Sequence, residues 1–155
     1  MSRIAARLTE LGIALPEAAA PVANYVPFAA SGTIVHISGQ LSRGSEDIRG
    51  TVGQDVDLET AVRAARLCAI NLISQFRAAC DGDLERVSRV LRLGGFVQAG
   101  PGFDAIPDVI NGASDLMVDV FGDRGRHARS AVGVYRIPLG YAVEVDAVIE
   151  VASGA

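Results

Sequence analysis

Apolar positions along the chain change their period several times, and each change marks an element. Met1 to Leu11 repeats Ile4, Leu8 and Leu11 at helical spacing, which predicts a short helix over about 2–11, closed by Gly12. Pro16 and Pro21 then hold the chain extended, and Asn24 to Phe28 reads as an edge strand. Thr33 to Ser38 is rich in β-branched residues and stops at Gly39-Gln40, so it reads as a strand feeding a loop. The mixed-charge, glycine-bearing stretch from Arg43 to Gly53 reads as a mobile loop with a short strand near Ile48.

Asp57 can cap a long helix to about Ala79, in which Ala61, Ala64, Ala65, Cys68, Leu72 and Phe76 share one face. Val87, Arg89, Leu91 and Leu93 alternate with Ser88, Val90, Arg92 and Gly94, as in a strand continuing to Val97. After Gly100-Pro101-Gly102, the stripe Ile106, Val109, Ile110, Ala113, Leu116, Met117 and Val120 predicts a second long helix, closed by Gly122 and Gly125. Two strands follow, Ala128 to Tyr135 and Ala142 to Val151, read as a hairpin about Pro138-Leu139-Gly140. In the last strand Val143, Val145, Ala147, Ile149 and Val151 form one face, and Glu144, Asp146 and Glu150 share the other with Val148. This order predicts an α+β layer: one mixed β-sheet, two helices packed on one face, and a short N-terminal helix.

Composition narrows the function. The 155 residues suit one domain over 1–155, with a helical extension over 1–20 and a core from about 24 to 151. Half of the residues are hydrophobic and the mean hydropathy is +0.31, yet no apolar run reaches the ~18 residues of a membrane span. The excess apolar surface points to contacts between subunits. The first residues lack the apolar core of a secretory signal, which places the chain in the cytoplasm and away from membranes. Cys68 and Cys80 have no metal-ligand spacing, and Cys68 reads as a buried inert thiol. All fourteen basic residues are arginine, which excludes a lysine Schiff base. A net charge of −4 with 5% aromatic residues argues against nucleic acid as a partner.

His127-Ala128-Arg129-Ser130-Ala131-Val132-Gly133-Val134, Leu139-Gly140 and Val143-Glu144-Val145-Asp146-Ala147 resemble the terminal signature of the RidA/YjgF family. Asn24-Tyr25-Val26-Pro27, Ile37-Ser38-Gly39-Gln40 and Val109-Ile110-Asn111-Gly112 are similar to its other marked segments, in the same order. The opening helix and the Arg43 to Gly53 loop resemble a longer-chain branch. The resemblance implies a chorismate-mutase-like fold, a homotrimer with clefts between subunits, and cofactor-free, metal-free hydrolysis of enamines and imines such as 2-aminoacrylate to 2-oxo acids and ammonia. It also implies roles: Arg129 holds the substrate carboxylate, Glu144 positions or activates water, and Tyr25, Gly39 and Asn111 shape the cleft. His127, two residues from Arg129 and on its strand face, is a further candidate for the cleft. Many family members have a cysteine where this chain has Ala131, so thiol-based control at that position is absent.

A guanidinium grips a carboxylate with two parallel donors, and imine hydrolysis needs little beyond a proton and an aimed water. Read without the family, Arg129 is equally an ordinary strand or interface arginine and Glu144 a solvated carboxylate. Tyr25 can simply cover a sheet edge, Asn111 can cap locally, and His36 reads as a structural histidine. In a hairpin about Pro138-Leu139, Glu144 faces Gly133, roughly 13 Å along the strand from Arg129 at ~3.3 Å per residue. A different register, a bridging water and substrate, or groups from two subunits would each resolve that distance. Two alternatives to a deaminase stay open: a 2-oxo acid-binding or regulatory module, and an endoribonuclease.

Overall fold

Two helices lie across one face of a five-stranded sheet in the computed structural model, which describes residues 1–154. The N-terminal helix α1 (Arg3–Glu10) is capped by Ser2, whose hydroxyl accepts from the Ala5 N–H, and it buries Ile4 and Leu8. Helix α2 (Leu58–Ala79) is capped by Asp57 as its sequence predicts, and Ala61, Ala64, Ala65, Cys68, Leu72 and Phe76 are all buried. Helix α3 (Ile106–Phe121) starts with Pro107 in the first turn, where a missing N–H leaves no bond unmade, and ends at Gly122 with φ +63°. Gly112 lets the helices touch, since a Cβ there would collide with the Val62 carbonyl of α2.

The strands are β1 (Phe28–Ser31), β2 (Ile34–Leu41), β3 (Val87–Gln98), β4 (Ala128–Val134) and β5 (Val143–Val151), in the order β1-β2-β5-β3-β4. The expected hairpin between β4 and β5 does not form. Strand β3 lies between them, parallel to β4 and antiparallel to β5. The cause is a strand–helix–strand unit: β3, α3 and β4 form a crossover, and a crossover over one face returns its second strand parallel to the first. The chain then passes the end of β3 in a turn where Leu139 and Gly140 have φ of 63° and 75°. Gln98, 1% exposed at that end, fastens the turn: its Oε1 accepts from the Ile137 N–H at 2.8 Å, and its Nε2 donates to the Gly50 carbonyl at 3.0 Å.

Four further expectations shift. Strand β2 does not stop at Gly39-Gln40 but runs on to Leu41 through an irregularity between Ile37 and Gln40. Strand β1 begins only at Phe28, so Tyr25 precedes it. Strand β3 breaks its alternation at two bulges, so Val87, Val90 and Leu93 all point into the core. The stretch from Arg43 to Gly53, expected to be a mobile loop with a short strand near Ile48, contains isolated bridges instead of a strand and is tied down. Ile48, Val52 and Val56 are buried, Ser42 Oγ donates to the Ile48 carbonyl, and Val52 exchanges backbone bonds with Gln98 and Gly100.

Strand β5 follows its sequence pattern. Val143, Val145, Ala147 and Ile149 are buried beneath the helices, while Glu144, Asp146, Val148 and Glu150 are half-buried on the opposite, helix-free face. Cys68 is fully buried with its thiol on the Val143 carbonyl, and burial pushes its pKa well up, which keeps it an inert thiol. Among the described residues no helix is long and apolar enough to cross a membrane.

Gly112→Ala tests the helix contact. It forces α2 and α3 apart and lowers unfolding free energy by about 1–3 kcal/mol, read as a lower urea midpoint at unchanged slope.

Candidate active site

Arg129 leaves the edge strand β4 toward α3, not toward β5. It is paired in register with Leu93, whose side chain is buried under the helices, so it belongs to the helix-covered face. Three neutral acceptors hold its guanidinium: Nη1 donates to Asn111 Oδ1 at 2.8 Å and Ser114 Oγ at 3.1 Å, and Nη2 donates to the Pro107 carbonyl at 3.2 Å. No carboxylate lies within ion-pair distance of it among the described residues. The group is therefore aimed but electrically uncompensated, a condition that favours an anion from outside.

Asn111 thus supports Arg129 directly, and His127 does so at one remove. The His127 Nδ1–H donates to the Gly125 carbonyl at 2.6 Å, which leaves Nε2 to accept the Ser114 hydroxyl at 2.8 Å. Ser114 in turn accepts from Arg129. Burial and then the Arg129 charge hold His127 below the ordinary histidine pKa, against the opposing pull of the Gly125 carbonyl. A neutral imidazole is the form this chain of bonds requires. Ser114 was not anticipated from the sequence, although its spacing of three from Asn111 places the two on one face of a helix.

Tyr25, Gly39 and Glu144 form a second group. Glu144 is in register with Phe96 and, through it, with Val132, so it stands two strands and three positions from Arg129, with Cα atoms about 14 Å apart at ordinary strand spacings. Its side chain also lies on the opposite, helix-free face. Gly39 on β2 is the floor beneath it, because a Cβ there would sit 2.9 Å from the Glu144 carboxyl. Tyr25, 48% exposed, is positioned beside Gly39 by Ser38, whose Oγ donates to the Val26 carbonyl at 2.7 Å and whose N–H donates to the Pro27 carbonyl at 2.9 Å. Tyr25, Ser38, Gly39 and Gln40 line one small cleft.

Burial and then the nearby Asp146 raise the Glu144 pKa above the usual carboxylate value. Burial raises Asp146 as well, opposed by Arg92 at 3.5 Å, by the Gly94 N–H and by His36. His36 is exposed on this face and not a buried structural residue. The six sequence candidates therefore fall into two groups in one protomer. Arg129, Asn111 and His127 gather at the β4 edge, and Tyr25, Gly39 and Glu144 gather around β2 and β5. The described residues contain no cluster of histidine, cysteine and carboxylate ligands suited to a metal ion.

Residues 5–150 match the family described as "YjgF/chorismate mutase-like, putative endoribonuclease". The chain belongs to that family. It is 49% identical over 151 residues to the protein TCP17 of Trypanosoma cruzi, covering 96% of this chain and 94% of that one. Among solved structures, protein Atu1372 of Agrobacterium tumefaciens, described as of unknown function, is 48% identical, with TM-score 0.90 over 96% of this chain and 92% of its own. A protein of Shewanella oneidensis described as a "putative endoribonuclease" is 32% identical, with TM-score 0.92 over 97% and 100% of the two chains. RidA of a Psychrobacter species shares the fold at 23% identity, with TM-score 0.56 over 87% of this chain and 94% of that one. The family's YjgF-type mixed α+β fold is the one seen here.

The bond network sets a titration. His127 is neutral in the folded chain to a lower pH than in the unfolded chain, so stability is full above the unfolded pKa and falls as pH drops through the folded value. The NMR midpoint of its ring protons lies below that of an unfolded-chain histidine, and Arg129→Ala moves it upward by removing the adjacent positive charge.

Proposed function

We propose that this chain is a cofactor-free deaminase that hydrolyses 2-aminoacrylate-type enamines and 2-imino acids to 2-oxo acids and ammonia. The observation that carries the reading is Arg129: a guanidinium fixed by three neutral acceptors, with no carboxylate of its own. That arrangement suits a small carboxylic acid bound from solution. Membership of the YjgF/chorismate mutase-like family supports it further.

The active unit in this reading is a homotrimer with clefts between copies. Arg129 on the edge strand β4 and Glu144 on the central strand β5 lie two strands apart and on opposite faces, so a cleft holding both draws them from two chains. The helix-free face of the sheet, with Val132 46% exposed and Val148 half-buried, suits contact with another copy.

Chemistry then follows from the two groups. Arg129 fixes the carboxylate, which orients the adjacent C=N carbon. Glu144, with its pKa raised, can carry a proton to the enamine carbon or imine nitrogen and then take one from water. The water oxygen bonds to the iminium carbon, the resulting carbinolamine nitrogen takes a proton, and the C–N bond breaks as the hydroxyl gives up its proton to the Glu144 carboxylate or water, which releases ammonia and leaves the 2-oxo acid. His127 and Ser114 act only through Arg129, as positioning residues.

The family description and the Shewanella relative favour a second reading, an endoribonuclease. A net charge of −4 counts against it, since phosphate contacts carry most nucleic-acid affinity.

The test generates an imine in place with an amino-acid oxidase and follows its decay against semicarbazide as a competing trap. Wild type accelerates the decay. Arg129→Ala loses about 10²-fold or more in kcat/KM, the worth of two charge-assisted hydrogen bonds. Glu144→Gln loses roughly 10²–10⁴-fold, chiefly in kcat, and abolishes the limb of the pH profile that reports its titration. Lack of acceleration across small and bulky imines, with 2-oxo acid binding retained, makes the chain a carboxylate-binding module. Cleavage of labelled RNA by wild type that Arg129→Ala abolishes makes it a ribonuclease.

A further inference from the structure

Nearly every arginine of the chain is committed. Among the described residues each is hydrogen-bonded, ion-paired or stacked on a ring, except Arg43 and Arg66. Arg66 lies in the groove between α2 and α3 together with Glu59 and Asp115, so that groove supplies its own negative charge. Arg43 instead lines the cleft of Tyr25 and Gly39, whose described lining residues include no Asp or Glu, although the Glu144 carboxyl packs against Gly39. Among the described residues it is the only charged one lining that cleft.

Its base is rigid. The Asn71 side-chain amide on α2 donates to the carbonyls of Leu41 and Arg43 at 3.0 and 2.8 Å, and Arg43 pairs with Asp47 as an isolated bridge. Backbone position is therefore fixed while the guanidinium keeps all its donors. The remaining walls are small or aliphatic: Ala19, Ala20, Pro21 and Val22 of the arm that follows α1, and Leu139 of the turn after β4. That arm is held to α2 by Gln75, which donates to the Ala19 carbonyl at 2.9 Å.

We propose that Arg43 is a second anion-binding group of the substrate cleft, and that the chain selects 2-imino and 2-oxo acids carrying a second carboxylate on their side chain. This rests on the assignment of the first carboxylate to Arg129. A monocarboxylic substrate uses Arg129 and leaves Arg43 solvated, whereas a dicarboxylic one satisfies both. The preference is a difference between two affinities and is set at Arg43. An Arg suits the task better than a Lys because its planar fork meets a carboxylate with two donors.

The experiment measures binding of 2-oxoglutarate and 2-oxobutanoate by calorimetry to wild type, Arg43→Gln and Arg43→Lys, with oligomeric state checked by sedimentation. Wild type binds 2-oxoglutarate about tenfold more tightly, as one charge-assisted contact in a solvent-reached cleft allows. Arg43→Gln removes that preference and leaves 2-oxobutanoate affinity within twofold, and Arg43→Lys restores part of it. Equal affinities in wild type, or a preference that survives Arg43→Gln, overturn the proposal. Dissociation of the assembly by Arg43→Gln also overturns it, because Arg43 is then an interface residue. Decay of the matching imines is followed in parallel. An Arg43-dependent binding preference without imine hydrolysis keeps the anion subsite and removes the deaminase reading. Hydrolysis of both imines with no dependence on Arg43 does the reverse.

Discussion

The position of β3 between β4 and β5 governs where everything else can stand. It follows from the β3–α3–β4 crossover, and it sends the strand that carries Arg129 to one edge of the sheet and leaves the strand that carries Glu144 inside it. Two glycines make the central position possible. A Cβ at Gly95 would press into Ile110 of α3, and one at Gly94 would meet the Asp146 carboxylate on the other face. The sheet is thin there on both sides, which lets α3 come down close enough for Asn111 and Ser114 to reach Arg129. Gln98 completes the arrangement by binding the turn that carries the chain back over the end of β3.

Electrostatically, the protomer keeps opposite charges apart. Arg129 is held by an amide, a hydroxyl and a carbonyl, all of which orient it without neutralising it. The neutral His127 behind Ser114 adds a fixed orientation and no charge. Across the sheet, burial favours the protonated form of both Glu144 and Asp146, and the Asp146 charge adds to the rise at Glu144. A direct Arg129–Glu144 pair would be more comfortable for the isolated protomer, yet it would consume both groups. Their separation leaves a free grip on one side and a carboxyl group with a raised pKa on the other.

Much of this was legible in the sequence, and the failures have physical causes. Helices α2 and α3 and the two faces of β5 follow from apolar periodicity because each is long and buried on one side. Arg129 and Asn111 stand out as polar residues in regular apolar elements. Strand pairing is a non-local property, so Pro138-Leu139-Gly140 looks like a hairpin turn while serving a longer passage over β3. The bulges of β3 are equally invisible to a period-two reading, since each shifts which residues face inward. Ser114 was hidden because a serine on an amphipathic helix resembles any solvated position. Arg43 was hidden because its loop reads as mobile, whereas Asn71 and the buried Ile48, Val52 and Val56 pin it from below.

The division of the candidate residues between the β4 edge and the helix-free face around β2 and β5 has a genetic counterpart. If each cleft draws Arg129 from one copy and Glu144 from the next, a chain damaged only at Arg129 still offers a sound Glu144 to its neighbour, and a chain damaged only at Glu144 still offers a sound Arg129. Two inactive alleles expressed together then assemble mixed rings in which some clefts are wholly native. Lesions within one group cannot rescue each other in this way, so the pattern of complementation between alleles maps the two halves of the site.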